Sequence, residues 1–272
     1  MIYPTTAELL TFIPDERNQF LFHYTKYSSA LEILLSKQMR LGSLINMNDP
    51  LEFENHHGEP ITFQGNPPNK LLSAWLLNKE KAITERETNV RLASFSIDQD
   101  CPNEYGNYLF KGWARSRMWA QYADNHKGIC LIFDKVNLIK SFKMAFNFDY
   151  CETFCKKVNY TDDLAPLKGA LTSHPPCESL ITSDKIDFLF QKCGDFRDEQ
   201  EFRLLLINKK LKTADEIVSF SIVESLCGII TGARFPSENI QTLKNAIKSC
   251  NPNIKLLPIW WDYGTPTILF TL

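Results

Sequence analysis

Four short polar groupings carry the residue types from which chemistry could be built, and each adjoins an apolar, strand-like run. They are His23-Tyr24-Thr25, Ser94 with Ser96, Tyr122 to His126, and Glu199-Gln200-Glu201. Glu201 opens the run Glu201-Phe202-Arg203-Leu204-Leu205-Leu206-Ile207. A carboxylate at the entrance of a buried strand can project into a cleft while the strand fixes its backbone. Glu199 stands two residues earlier, and on an extended chain it faces the same side. Paired carboxylates raise one another's affinity for protons, which suits general acid–base work. The plainer alternative is a hydrated strand end whose acids are neutralised by Arg197 and Arg203. His23 likewise reads either as a ligand contact or as a hydrogen-bonded core histidine.

Several chemistries have no motif in this chain. There is no phosphate-cradling GxxxxGK[ST], no GxGxxG after a strand, and no HExxH, GxSxG or CxxC. Cys151 and Cys155 with His174 and Cys177 have the ligand types of a zinc site, but their spacing fits no standard finger or ribbon. A nuclease centre would need several carboxylates to converge. Asp49, Glu52, Glu54, Glu199 and Glu201 are the set that could do so.

The elements that must position these groups follow from periodicity. Leu21 to Thr25 reads as a strand. Ser29 with Glu32 forms a capping box, so a helix is expected to start there, with Leu31, Leu34 and Leu35 on one face. Arg40 to Leu44 is a second strand, and the loop after it carries Asn48 and Asp49. Together these pieces make the walls of a small-molecule cleft. Residues 70–88 have helical period. The run from Val90 to Ile97 is a strand with Ser94 and Ser96 on one face and Phe95 and Ile97 on the other.

Arg115 to Asp134 reads as a helix with Met118, Trp119, Tyr122 and Ala123 on one face, ended by Asn125 to Gly128, then a buried strand. A strand is expected at 156–160, a helix at 178–192, a strand at 226–232, a helix at 237–248 and two closing strands over 253–270. Helices and strands alternate irregularly, which favours a mixed α+β domain over a doubly wound parallel sheet.

Composition sets the outer bounds. With 272 residues and 12% aromatics the chain can bury a substantial core, and nothing in it marks an internal boundary, so residues 1–272 read as a single domain. Thirty basic residues against 32 acidic ones give no global field for nucleic acid or acidic membranes. No apolar run reaches the roughly 20 residues that span a bilayer. The N-terminus has no secretion signal, so a cytoplasmic protein with reduced thiols is expected. Cys130 and Cys227 lie in apolar strand-like runs and are expected to be buried.

Taken in order, HYT, ALEILLSKQMRLGS, NMNDPLEFE, LASFSI, MWAQYADNHKGICLIFD and EQEFRLLL resemble a bacterial family known as domain of unknown function 2971, over about residues 20–235. That family includes abortive-infection proteins of phage resistance. NDPxE and MWxxYAxxHxG are the most specific strings. The opening unit is also similar to ADP-ribosyltransferase-like toxins. That resemblance implies a mixed, split β-sheet flanked by helices, with NAD as substrate. It implies that His23 bonds an NAD ribose with Tyr24 and Thr25 beside it. Ser94, Ser96 or Tyr122 would line the nicotinamide pocket, and Asn48 and Asp49 would orient cofactor or acceptor. Glu201, with Glu199 beside it, would be catalytic, stabilising the oxocarbenium-like charge as nicotinamide leaves. His126 is grouped with the binding residues without a role of its own.

The expectation is therefore an NAD-dependent ADP-ribosyltransferase, or a glycohydrolase if water is the acceptor, serving phage defence or a toxin system. Its partners would be a protein or nucleic-acid acceptor and a cognate antitoxin or sensor protein. The alternatives are a non-catalytic sensor of the same fold that binds a nucleotide or a phage component, and the metal-dependent nuclease.

Overall fold

The computed structural model describes residues 19–47, 84–99, 111–162 and 183–268. They form one α+β fold around a mixed sheet. The sheet's path is β12-β11-β10-β4-β1-β3-β2-β9, with β8 branching from β3 and β5 from β8. In chain order the strands are β1 (Phe20–Thr25), β2 (Gln38–Ser43), β3 (Val90–Ser96), β4 (Ile129–Asp134), β5 (Cys151–Lys157), β8 (Glu201–Asn208), β9 (Val218–Ser221), β10 (Leu226–Thr231), β11 (Lys255–Asp262) and β12 (Thr265–Ile268). A separate parallel pair joins β6 (Asn159–Thr161) to β7 (Gln191–Cys193). The β10–β11 pair is also parallel, which makes the main sheet mixed.

One face of the sheet is covered by α1 (Tyr27–Ser36), α3 (Lys135–Ala145) and α4 (Ile240–Cys250). Their buried residues, among them Ile33, Phe142 and Leu243, join Leu21, Phe95, Leu131 and Leu204 in the largest core. The other face meets α2 (Ser116–Gln121), whose Trp119 is fully buried against Phe22 and Ile132. Beside it the 3-10 helix Ser183–Phe190 covers Leu92, Leu205 and Ile207. Each fully buried large side chain contributes about 1.5–3 kcal/mol, so both faces are held by several such anchors.

The register of β3 leaves an opening along one of its edges. β8 pairs with β3 along its whole length, from Val90↔Ile207 to Ser96↔Glu201. β1 and β2 must therefore share the other edge of β3, and they take opposite ends of it. β1 pairs at Phe22↔Ser96, while β2 pairs at Gly42↔Leu92 and Ser43↔Arg91. The edge at Ala93–Phe95 pairs with neither strand, so the sheet is split there.

Several sequence expectations need correction. α1 starts at Tyr27, with Lys26 at the cap and no side-chain capping bond, so Ser29 lies inside the helix. Its buried face is Ala30, Ile33 and Leu34, centred about one residue earlier than the leucine stripe suggested, and Leu35 is exposed. Within 178–192 the described residues form the 3-10 helix and then β7, because parallel pairing with β6 claims Gln191–Cys193. The expected strand at 156–160 is the end of β5 and most of β6, interrupted at Val158.

Cys227 is exposed rather than buried: a register shift between Leu226 and Gly228 makes it the bulged residue of β10. Cys130 is buried. Helix α3 was not anticipated, although Asp134 caps it by accepting from the Asn137 amide at 2.8 Å. Among the described residues no helix is long and apolar enough to cross a membrane.

Candidate functional site

A cavity of about 310 Å³ lies over the split in the sheet. Its walls come from β1 (Phe22, His23, Tyr24), β2 (Arg40, Gly42) and β3 (Leu92 to Ser96), with Met47, Met118 and Tyr122 at its rim and Lys192, Glu199 and Glu201 at its floor. Small-molecule sites begin at about 300 Å³, so this cavity stands at the lower end of their range.

His23 is the residue that the split explains. By strand alternation its side chain belongs with Leu21, opposite Phe22 and Tyr24. Its Nδ1 lies 3.0 Å from the Ser94 carbonyl, so the ring satisfies a backbone acceptor on the edge that no strand reaches. Burial holds His23 below its usual 6.5, with the Ser94 bond pulling weakly the other way. The neutral ring donates from Nδ1 to that carbonyl, which leaves Nε2 with a lone pair to accept a ligand's hydroxyl proton.

The floor is an array of four charges. Lys192 Nζ stands 2.8 Å from Glu199 Oε2 and 3.0 Å from Glu201 Oε2, and 5.1 Å from the Phe196 ring centroid. Arg203 donates from Nε to Glu201 Oε1 at 2.8 Å and from its second terminal nitrogen to Oε2 at 3.0 Å. Tyr122 donates its hydroxyl to Glu199 Oε1 at 2.6 Å. The Glu201 amide donates to the Tyr160 hydroxyl at 2.8 Å, and burial raises that phenol well above its usual value. Lys192, Glu199, Glu201 and Arg203 are all buried. Burial disfavours the charge on Glu201, but Arg203 and Lys192 more than offset it and hold the carboxyl at about 2. Glu201 is therefore a fixed anion at neutral pH. The expectation that a neighbouring carboxylate makes it a proton donor does not hold, because Lys192 lies between the two acids.

Local structure delivers each floor residue. Glu199 ends the 3-10 helix Gly194–Glu199, and Gln200 follows in the left-handed region at φ 45°. The segment is not extended as expected. The turn nevertheless brings both carboxylates to one ammonium. The pair β6–β7 sets Tyr160 beside Lys192 in register. Ser94 lies across from Arg203 and Ser96 from Glu201. Ser96 Oγ donates to the Glu199 carbonyl at 2.8 Å, which ties the turn to β3. Arg197 pairs with Asp162 instead of the paired acids, whereas Arg203 does neutralise Glu201.

The structure thus brings His23, Tyr24, Ser94, Ser96, Tyr122, Glu199 and Glu201 to one cavity. Tyr24 contributes buried bulk: its hydroxyl donates to the Gly112 carbonyl at 2.7 Å and its ring meets Trp119 edge-on. Thr25 and His126 are not among the lining residues. His126 follows Asp124 and Asn125 in the left-handed region, packs edge-on against Trp261, and accepts the Arg234 amide on its carbonyl at 2.9 Å. Asn48 and Asp49 lie outside the described residues, as do Glu52, Glu54, His174 and Cys177. Among the described residues no cluster of His, Cys, Asp and Glu has the arrangement of a metal site.

Lys111, Arg115 and Arg117, close together in the sequence, each bond groups of the protein itself. Lys111 bonds Asp98, Arg115 donates to the Asp198 and Ile97 carbonyls, and Arg117 donates to the Asp195 carbonyl. Sequence reasoning missed Lys192, Tyr160 and Arg40. Lys192, between Phe190 and Phe196, is a cation inside an aromatic-flanked segment, and that was the available signal.

No curated protein and no solved structure matches this chain. Residues 118–204, which carry Tyr122, Lys192, Glu199 and Glu201, are similar to the family described as Protein of unknown function (DUF2971).

Proposed function

We propose that the protein cleaves the nicotinamide–ribose bond of NAD and transfers the ADP-ribosyl group to a protein, a nucleic acid or water. The observation that carries this reading is the convergence of His23, Tyr122 and Glu201 on one cavity, from elements far apart in the chain. In the proposed step the C1′–N bond breaks and its electron pair leaves with nicotinamide. The acceptor then attacks C1′ and loses its proton. Positive charge on the ribose is stabilised by Glu201, an anion held rigidly by Arg203 and Lys192 in a poorly hydrated site. His23 Nε2 accepts from a ribose hydroxyl, and the rim aromatic Tyr122 covers the nicotinamide. Service in phage defence or a toxin system, with a cognate antitoxin or sensor, is supported only by the motif resemblance.

The test is incubation of the purified chain with NAD, following nicotinamide release, with Glu201→Gln as the control and melting curves to check that the variant folds. Loss of release in a folded variant supports the reading. Undiminished release in Glu201→Gln refutes it.

A second reading, a nucleotide sensor without catalysis, is favoured by one feature: every carboxylate oxygen of Glu199 and Glu201 already accepts a bond. Such a sensor would bind NAD, release no nicotinamide, and tolerate Glu201→Gln better than changes at His23. The nuclease reading is weakened by Lys192, whose ammonium occupies the place between the two acids that a divalent cation would take.

A further inference from the structure

The cavity has two chemically different ends. At its floor the formal charges cancel, since Lys192 and Arg203 face Glu199 and Glu201 at 2.8–3.0 Å. At its other end stands Arg40 on β2, exposed and lining the cavity. Among the described residues no carboxylate bonds it. Arg40 and Gly42 alternate onto the cavity side of β2, while Met39 and Leu41 go to the core.

One further feature makes this end a place for an anion. Gly42, next along the same face, leaves the wall bare. A Cβ there would meet only ordinary contacts, 3.7 Å from the Leu92 carbonyl oxygen and from Met47 Cε, so packing does not demand a glycine. Bare backbone beside a guanidinium that no carboxylate among the described residues bonds lets a bulky anion approach closely.

We infer that Arg40 binds the phosphate portion of a nucleotide whose sugar and base end sits over the Glu199–Glu201 floor. This rests on the proposed NAD reading for the identity of the ligand, but the anion subsite can be tested without it. An arginine–phosphate bond at an exposed rim is worth about tenfold in affinity, more if the ligand shields it.

Calorimetry on the full chain would compare NAD, nicotinamide riboside, which lacks phosphate, and inorganic pyrophosphate, with wild type, Arg40→Gln and Arg40→Lys. Arg40→Gln should weaken NAD and pyrophosphate about tenfold and leave nicotinamide riboside within about twofold. Arg40→Lys should recover part of the loss, and added salt should weaken the phosphate-bearing probes alone. The inference is overturned if wild type binds neither NAD nor pyrophosphate, or if Arg40→Gln leaves both affinities unchanged. It is also overturned if nicotinamide riboside weakens as much as NAD. Arg40-dependent binding without nicotinamide release would refute the transferase reading and leave this subsite standing. Nicotinamide release with NAD affinity insensitive to Arg40→Gln would do the reverse.

Discussion

Replacing Lys192 with methionine should destabilise the protein strongly at neutral pH and much less in mild acid. Lys192 touches both floor carboxylates, at 2.8 and 3.0 Å, and is only 5% exposed. Methionine keeps the volume of the stem and removes the charge. The array then falls from neutral to a net charge of minus one, with Arg203 bonded to Glu201 and the Tyr122 hydroxyl to Glu199. Removing one partner of a buried ion pair costs about 3–5 kcal/mol, a large part of the roughly 5–15 kcal/mol that holds a domain together.

The sign of the pH effect follows from linkage. In the wild type, Glu201 lies at about 2 instead of its ordinary 4.5, worth roughly 3 kcal/mol that is present above 4.5 and lost as pH falls towards 2. In Lys192→Met the uncompensated pair gains affinity for a proton, so the folded state takes one up before the unfolded chain does. The gap between wild type and variant should then narrow between pH 7 and pH 5. Urea melts at those two pH values measure it. His23 titrates in both proteins and drops out of the difference. A gap that stays constant or widens on acidification would refute the electrostatic account, and a gap under about 1 kcal/mol at pH 7 would show that the ammonium is not buried with the acids.

Further outcomes can be checked on the same preparation. Tyr122→Phe removes the 2.6 Å bond to Glu199 and should cost about 1–2 kcal/mol in denaturant melts, while lowering nicotinamide release if the proposed reaction is right. Gly42→Leu should fold with stability changed by no more than about 1 kcal/mol and yet block ligand binding, since its side chain would occupy the cavity. Gly232→Ala should be far more damaging, about 3 kcal/mol or more in melts, because a Cβ there would lie 2.1 Å from the His126 carbonyl oxygen. His23 should stay neutral by NMR below pH 6.5. Since the unfolded chain is protonated first, His23 contributes stability that is full above 6.5 and declines as pH falls below it.

Much of the scaffold was legible in the chain itself, because strands and helices declare themselves through local period. The runs that became β1, β3, β4, β8 and β10 are short, apolar and rich in branched or aromatic residues, and each lies where expected. The alternation of Ser94 and Ser96 against Phe95 carried over to the structure, with Phe95 in the helix-covered core and the serines across from Arg203 and Glu201. The irregular order of the elements was enough to argue for an α+β fold.

The site could not be read in the same way. A sequence shows which residues are polar, but not which edge of β3 a strand will choose, and the split depends on β1 and β2 taking opposite ends of one edge. It also hides through-space charge. Lys192 lies seven residues from Glu199, at the far end of a 3-10 helix, and nine from Glu201, beyond the left-handed Gln200. Only tertiary packing puts its ammonium between them. Local pattern fixes which face of an element is buried. Whether two carboxylates behave as acids or as permanent anions is set by which cation the fold brings within 3 Å, because in a buried site the Coulomb interaction with that partner outweighs every local preference.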